Sequence, residues 1–190
     1  YWDTAFSAGE LSDYSVGLTL GIDQEYNLYV LDVVQDRMAD AELMEAAVEA
    51  SVKWGPDQVR FEEPAFRQRT IRDFVARFRK RALVTADSAS PKGDKVLRAR
   101  LPAGRGQAGM LFVDRDALWW PSFYAELTAF PFGVHDDIVD ALSGACELAV
   151  EATSRVRLTQ SRYSVKTRGL LERPGAAETS LYEELFHARA

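Results

Sequence analysis

Three aspartates fall within five positions, at Asp136, Asp137 and Asp140, inside the run Phe130-Pro131-Phe132-Gly133-Val134-His135-Asp136-Asp137-Ile138-Val139-Asp140-Ala141-Leu142. Carboxylates this close repel one another and stay ionised cheaply only beside a cation, so their position next to apolar helix residues suits Mg²⁺ or Mn²⁺. A plainer role competes, because acids at a helix start also cap free N–H groups and meet the positive end of the dipole. Two further acidic points lie where strands are expected. Asp3 sits in the β-prone stretch Trp2-Asp3-Thr4-Ala5-Phe6, and Val59-Arg60-Phe61 runs into Glu62 and Glu63. Two divalent ions held about 3.5 to 4 Å apart need oxygens from several segments, and three separate carboxylate stations meet that need.

An Asp on a first strand, a Glu ending a later strand and an Asp on a late helix is how folds of the RNase H type build a two-metal site. The remaining motifs follow in order: Ser12-Asp13-Tyr14-Ser15, Tyr29-Val30-Leu31-Asp32-Val33, Phe61-Glu62-Glu63, Lys95-Val96-Leu97-Arg98-Ala99, Gly109 to Phe112, and the closing Phe-Pro-x-Gly-x-His-Asp-Asp-x-x-Asp-Ala run. Over roughly residues 1 to 150 the sequence resembles the C-terminal nuclease domain of large terminase subunits from tailed bacteriophages.

The resemblance implies a metal-dependent endonuclease that cuts double-stranded DNA while a viral genome is packaged, with two Mg²⁺ or Mn²⁺ ions during catalysis. Asp3, Glu62 and Asp137 match the family's catalytic acids. Asp136 rivals Asp137 and Glu63 rivals Glu62, while Asp13 and Asp140 are further candidate metal ligands. The resemblance also implies an N-terminal ATPase domain in the same polypeptide, a portal and a small terminase subunit as partners, and work in the host cytoplasm rather than in the mature virion. No Gly-x-x-x-x-Gly-Lys-Ser/Thr phosphate loop occurs in the sequence. With Tyr1 in place of an initiator Met, the expectation is a nuclease domain separated from its motor. A junction resolvase or transposase would use the same acids on another DNA shape, and a non-catalytic DNA or portal docking module would use them only to stabilise a helix.

At 190 residues, 47% hydrophobic and 11% aromatic, the chain can bury one core. No apolar run reaches membrane-spanning length, and the single Cys146 excludes an internal disulfide. Cys146 lies among apolar helix residues, as a buried structural thiol would. Two distant histidines and one cysteine do not make a zinc site. The net charge of −6 conceals a basic middle: residues 60 to 115 carry fourteen Lys or Arg against six Asp or Glu. Such a surface favours a phosphate backbone.

The elements needed to position these groups are legible in outline. Tyr14 to Ile22 and Tyr26 to Val34 read as strands, which with the Asp3 strand open the fold antiparallel. A helix from Asp40 to Val52 then leads to a strand at Val59 to Glu62, parallel to the first. A helix follows over Pro64 to Arg81, then a strand at Leu83 to Ala86. Lys95 to Leu101 and Gly109 to Val113 read as a β-hairpin around Pro102-Ala103-Gly104-Arg105-Gly106. On it Lys95, Arg98, Arg100 and Arg105 are the DNA-binding candidates. Three apart on a strand, Lys95 and Arg98 would face opposite ways, leaving Lys95 for the site. An aromatic core helix from Asp116 to Thr128 and a final helix from His135 to Arg155 complete the domain, with Asp137 and Asp140 neighbours on one surface. The expected class is therefore α/β and RNase H-like: a mixed sheet of three antiparallel and then parallel strands, flanked by helices, with an extra β-hairpin. Residues 1 to 157 form that domain, and 158 to 190 a tail.

Overall fold

The structure is a computed structural model that describes residues 1–4, 14–62, 72, 74, 76, 83–87 and 94–160. Six strands form one sheet: β1 (Trp2–Asp3), β2 (Ser15–Ile22), β3 (Leu28–Asp36), β4 (Gln58–Glu62), β5 (Leu83–Asp87) and β6 (Leu111–Val113), in the order β5-β4-β1-β2-β3-β6. β1, β2 and β3 are antiparallel, whereas β4 lies parallel to β1 and β5 parallel to β4. This is the RNase H-like order of antiparallel then parallel strands. β6 extends the other edge, parallel to β3.

Among the described residues, four helices with defined bounds flank the sheet: α1 (Asp40–Trp54), α2 (Lys95–Gln107), α3 (Trp120–Ala129) and α4 (Asp137–Gln160). Two of them, α1 and α2, start where the local sequence supplies an acceptor for free N–H groups. Glu42 reaches back to accept from the Ala39 nitrogen at 2.8 Å, and Gly55 closes α1 in the left-handed region at φ 55°. Pro121 sets the first turn of α3, which begins later than its aromatic pattern suggests because Asp114 turns the chain by accepting from the Asp116 nitrogen.

The sheet separates two apolar clusters. Val16, Leu18, Val30, Val33, Phe123, Ile138, Leu142 and Cys146 pack on the α3 and α4 side, and Trp2, Met38, Leu43, Ala47, Val59, Phe61 and Phe74 pack on the α1 side. Val30 and Val33 share a face although three apart, because Thr19 pairs with Asp32 and Leu20 with Val30, leaving Leu31 bulged out of the register. Cys146 is buried as expected, and burial pushes its thiol up to about 12. Phe123 and Leu127 are core residues, which supports the structural reading of the aromatic helix.

The expected hairpin is corrected: Lys95–Gln107 is helical. The Asp94 carboxylate accepts from the Val96 nitrogen at 2.9 Å, an N-cap that opens the helix. Pro102, Gly104 and Gly106 suggested a turn, but Pro102 and Gly106 are buried, and packing of α2 on α4 overrides their weak helix propensity. The predicted opposition of Lys95 and Arg98 fails for the same reason, since three residues on a helix return to one face. Of the helix expected over 64–81, positions 72, 74 and 76 are helical and the rest lies outside the described residues. Asp13, Glu63 and residues 161–190 also lie outside them, although α4 itself continues to Gln160.

Candidate active site

Strand register brings the first two acids together. Trp2 is opposite Phe61, and their rings stack at 6.2 Å and 16° on the α1 side. Side chains alternate across a strand, so the next residues, Asp3 and Glu62, emerge side by side on the α4 side. The Thr4 hydroxyl donates to the Glu62 carbonyl at 2.7 Å and ties the two strand ends. α4 starts over this point and brings Asp137 and Asp140. The negative charges of Glu62, Asp140 and Asp137 all act on Asp3.

The site is costly in charge. Burial pushes the Asp3 carboxyl well above its ordinary range, the three neighbouring carboxylates push it further, and Arg98 opposes them. Burial raises Glu62 too, against a hydrogen bond from Tyr1 and the charge of Arg98. Asp140 is buried and forms ion pairs with Arg98 and, at 2.9 Å, with Lys95. Lys95 also donates to both Asp136 oxygens at 2.9 and 2.8 Å. Burial alone would lower its pKa, but these two carboxylates raise it instead. Asp136 is thus the residue held by Lys95, while Asp137 lies among the charges felt by Asp3.

The remaining sequence candidates take varied places. Arg98 is buried in the site, Arg100 is exposed, and Arg105 donates to the Tyr26 carbonyl at 3.3 Å at the far end of α2. His135 packs edge-on against Tyr14 at 5.2 Å, its Nδ1 3.9 Å from an Asp137 oxygen.

Two supporting residues were missed by sequence reasoning. Tyr1 donates from its hydroxyl to Glu62 at 3.0 Å. Its spacing of two from Asp3 puts both on one strand face, a signal that could have found it. The Tyr1 ring lies against Gly144, where an added Cβ would stand 2.2 Å from the ring's Cζ. Gly144→Ala is therefore expected to displace Tyr1 and release Glu62, costing about 1–3 kcal/mol of stability. Thermal unfolding of the variant checks this, and an unchanged Tm would show that the ring is not clamped.

Glu126 on α3 is the second. Its carboxylate accepts from the Ile138 nitrogen at 2.8 Å and so caps α4 from another helix; no local pattern signals it. Burial, with the charges of Asp137 and Asp136, raises its pKa from 4.5 to about 7 against the pull of its backbone hydrogen bonds. The folded state then keeps a proton that the unfolded chain releases, so this group's stability contribution is intact below pH 4.5 and is lost as pH rises towards 7. Glu126→Gln should flatten the fall of Tm between about pH 5 and 7 in metal-free buffer. An equal slope in both proteins would remove Glu126 as its source.

The donor chemistry fits a hard divalent cation: only oxygens, partly buried and mutually repelling, with Asp3 and Glu62 raised in pKa by burial first and by neighbouring carboxylates second. Among the described residues, no three His, Cys, Asp or Glu side chains already converge closely enough to hold an ion, and Lys95 and Arg98 supply the local positive charge.

A mixed sheet with carboxylates at the ends of adjacent parallel strands, facing a carboxylate-bearing helix, defines an RNase H-like domain of the nuclease class. The family model described as Terminase RNaseH-like domain matches residues 1–148, and the chain belongs to that family. A search of curated proteins gave no match. No described helix is long and apolar enough to cross a membrane.

Proposed function

We propose that this chain is a divalent-metal-dependent endonuclease that cuts double-stranded DNA during viral genome packaging. The observation that carries the reading is the pairing of Asp3 and Glu62 at the ends of parallel neighbours, facing Asp137 and Asp140 on α4. Asp3, Glu62 and Asp137 would hold Mg²⁺ or Mn²⁺. Bound there, such ions activate a water for attack on phosphorus and stabilise the leaving oxyanion. The protein's own contributions are separate. Tyr1 orients Glu62, Glu126 fixes the start of α4, and Lys95 and Arg98 balance Asp136 and Asp140. Exposed Arg100 faces solvent, where it suits a phosphate backbone. DNA reaches the site, in this reading, from an ATPase domain of the same polypeptide engaged with a portal and a small terminase subunit in the host cytoplasm.

The two cations on Asp140 favour a second reading, a docking module whose acids are internally neutralised. Incubation with supercoiled plasmid and Mn²⁺ or Mg²⁺ separates the two. Nuclease function predicts metal-dependent nicking and a Tm that rises with Mn²⁺; no nicking and no Tm rise would favour the docking module.

A further inference from the structure

The acids on α4 are recessed, and the loop that leads into them stands out. Asp137 and Asp140 have 15% and 8% of their side chains exposed. Phe132 and Val134, in the loop between α3 and α4, are 92% and 95% exposed. That loop is held in shape. The Phe130 nitrogen donates to the Glu126 carbonyl at 3.0 Å, and the Phe132 nitrogen to the Ala129 carbonyl at 2.9 Å. Gly133 lies so close to the end of α3 that an added Cβ would stand 3.0 Å from the Ala129 Cβ. A phenyl ring is therefore presented to solvent on a fixed backbone, and the five residues of chain from it to Asp137 span about 18 Å at most.

Cations flank this apolar tip on both sides. On one, Lys95 at the start of α2 reaches Asp136 at 2.8 Å. On the other, exposed Arg37, just past β3, lies over the Tyr14 ring at 4.8 Å, and Tyr14 packs edge-on against His135. An apolar tip between two cations suits a groove of duplex DNA, where base edges lie between two phosphate backbones. A protein surface burying the same tip would have to pair or desolvate both charges. The duplex is stiff over a few base pairs, so bringing one of its phosphates down to recessed acids requires a local kink.

We propose that Phe132 is a wedge: its ring enters a base step from the minor groove, beside the phosphate addressed by Asp3, Glu62 and Asp137, and kinks the duplex there. This role rests on the nuclease reading. It gives that nuclease a cutting preference without hydrogen bonds to bases, because steps that unstack easily, TA and CA/TG, cost least to open.

Binding without metal separates the wedge from the chemistry. The 190-residue chain, Phe132→Ala and Phe132→Leu are titrated at low salt, free of divalent ions, with a matched duplex and with the same duplex carrying one mismatched step. Unstacking is what a wedge must supply, and a mismatch supplies it in advance. The wild type and Phe132→Leu should favour the mismatched duplex by about tenfold or more, and Phe132→Ala should lose that preference with its Tm unchanged. A fluorescent adenine analogue at a TA step of the matched duplex should brighten on binding the wild type and stay dim with Phe132→Ala. Equal duplex preference and equal fluorescence in these two proteins would overturn the wedge; Mn²⁺-dependent nicking in the same preparations would show that the nuclease reading stands without it. A wild type that neither binds nor nicks DNA would overturn both. Self-association lost in Phe132→Ala, with duplex preference unchanged, would overturn the wedge and assign the tip to a protein contact.

Discussion

Asp3→Asn is expected to eliminate metal-dependent nicking and, in metal-free buffer near pH 8, to make the protein more stable. The first effect should exceed the ~10–100-fold that loss of an outer-shell group costs, because Asp3 would hold the ion directly. The second follows from sign. Burial and three neighbouring carboxylates raise the folded pKa of Asp3 above its unfolded value. The group's stability is thus full below the unfolded pKa of about 3.9 and is lost as pH rises through the folded one. Asn keeps the volume without the charge. A Tm gain of about 3 °C or more without metal, with no further gain from Mn²⁺, is the expected signature. Asp137→Asn should also lose nicking. Wild-type cleavage in both variants would leave the metal reading without support.

Arg98 should show the largest stability effect in the opposite direction. Arg98 and Asp140 are both nearly inaccessible, with 8% of each side chain exposed. Arg98→Met leaves a buried carboxylate with Lys95 as its remaining partner and is expected to cost about 3 kcal/mol. Adding Asp140→Leu removes the uncompensated charge and should recover most of the loss. Chemical denaturation of the two single variants and the double variant measures the coupling. Additive losses would show that the pair is not a unit.

These two residues also mark the limit of what the sequence could convey. The acids were legible because carboxylates beside apolar, β-prone residues conflict with simple burial, and the order of strands followed from alternation and turn residues. Lys95 and Arg98 were visible as cations near the site, but their geometry depended on whether residues 95–107 form a strand or a helix. Pro102, Gly104 and Gly106 are turn formers by local propensity. Only packing against α4 and the Asp94 cap decide for the helix, and packing partners far along the chain leave no local trace. Glu126 is the extreme case: its role exists only because α3 ends beside the start of α4. Tyr1 was within reach of a period-two reading, since it shares a face with Asp3. The bulge at Leu31 stayed hidden because a single inserted residue shifts register without changing composition.

The two halves of the acidic site differ in how firmly they are built. Asp3 and Glu62 are spaced by the peptide ladder between β1 and β4 and by the Thr4 tie, so their separation is as stiff as the sheet. Asp137 stands across from them on a helix held by side chains: Glu126 and Lys95 at its start, and Arg60 gripping Glu151 at 2.6 Å further along. The site is thus a vice with one fixed jaw and one sprung jaw. A load that pushes on α4 would change the gap without disturbing the strand pair, and the apolar packing of α4 on the sheet together with its ion pairs sets how far it can open.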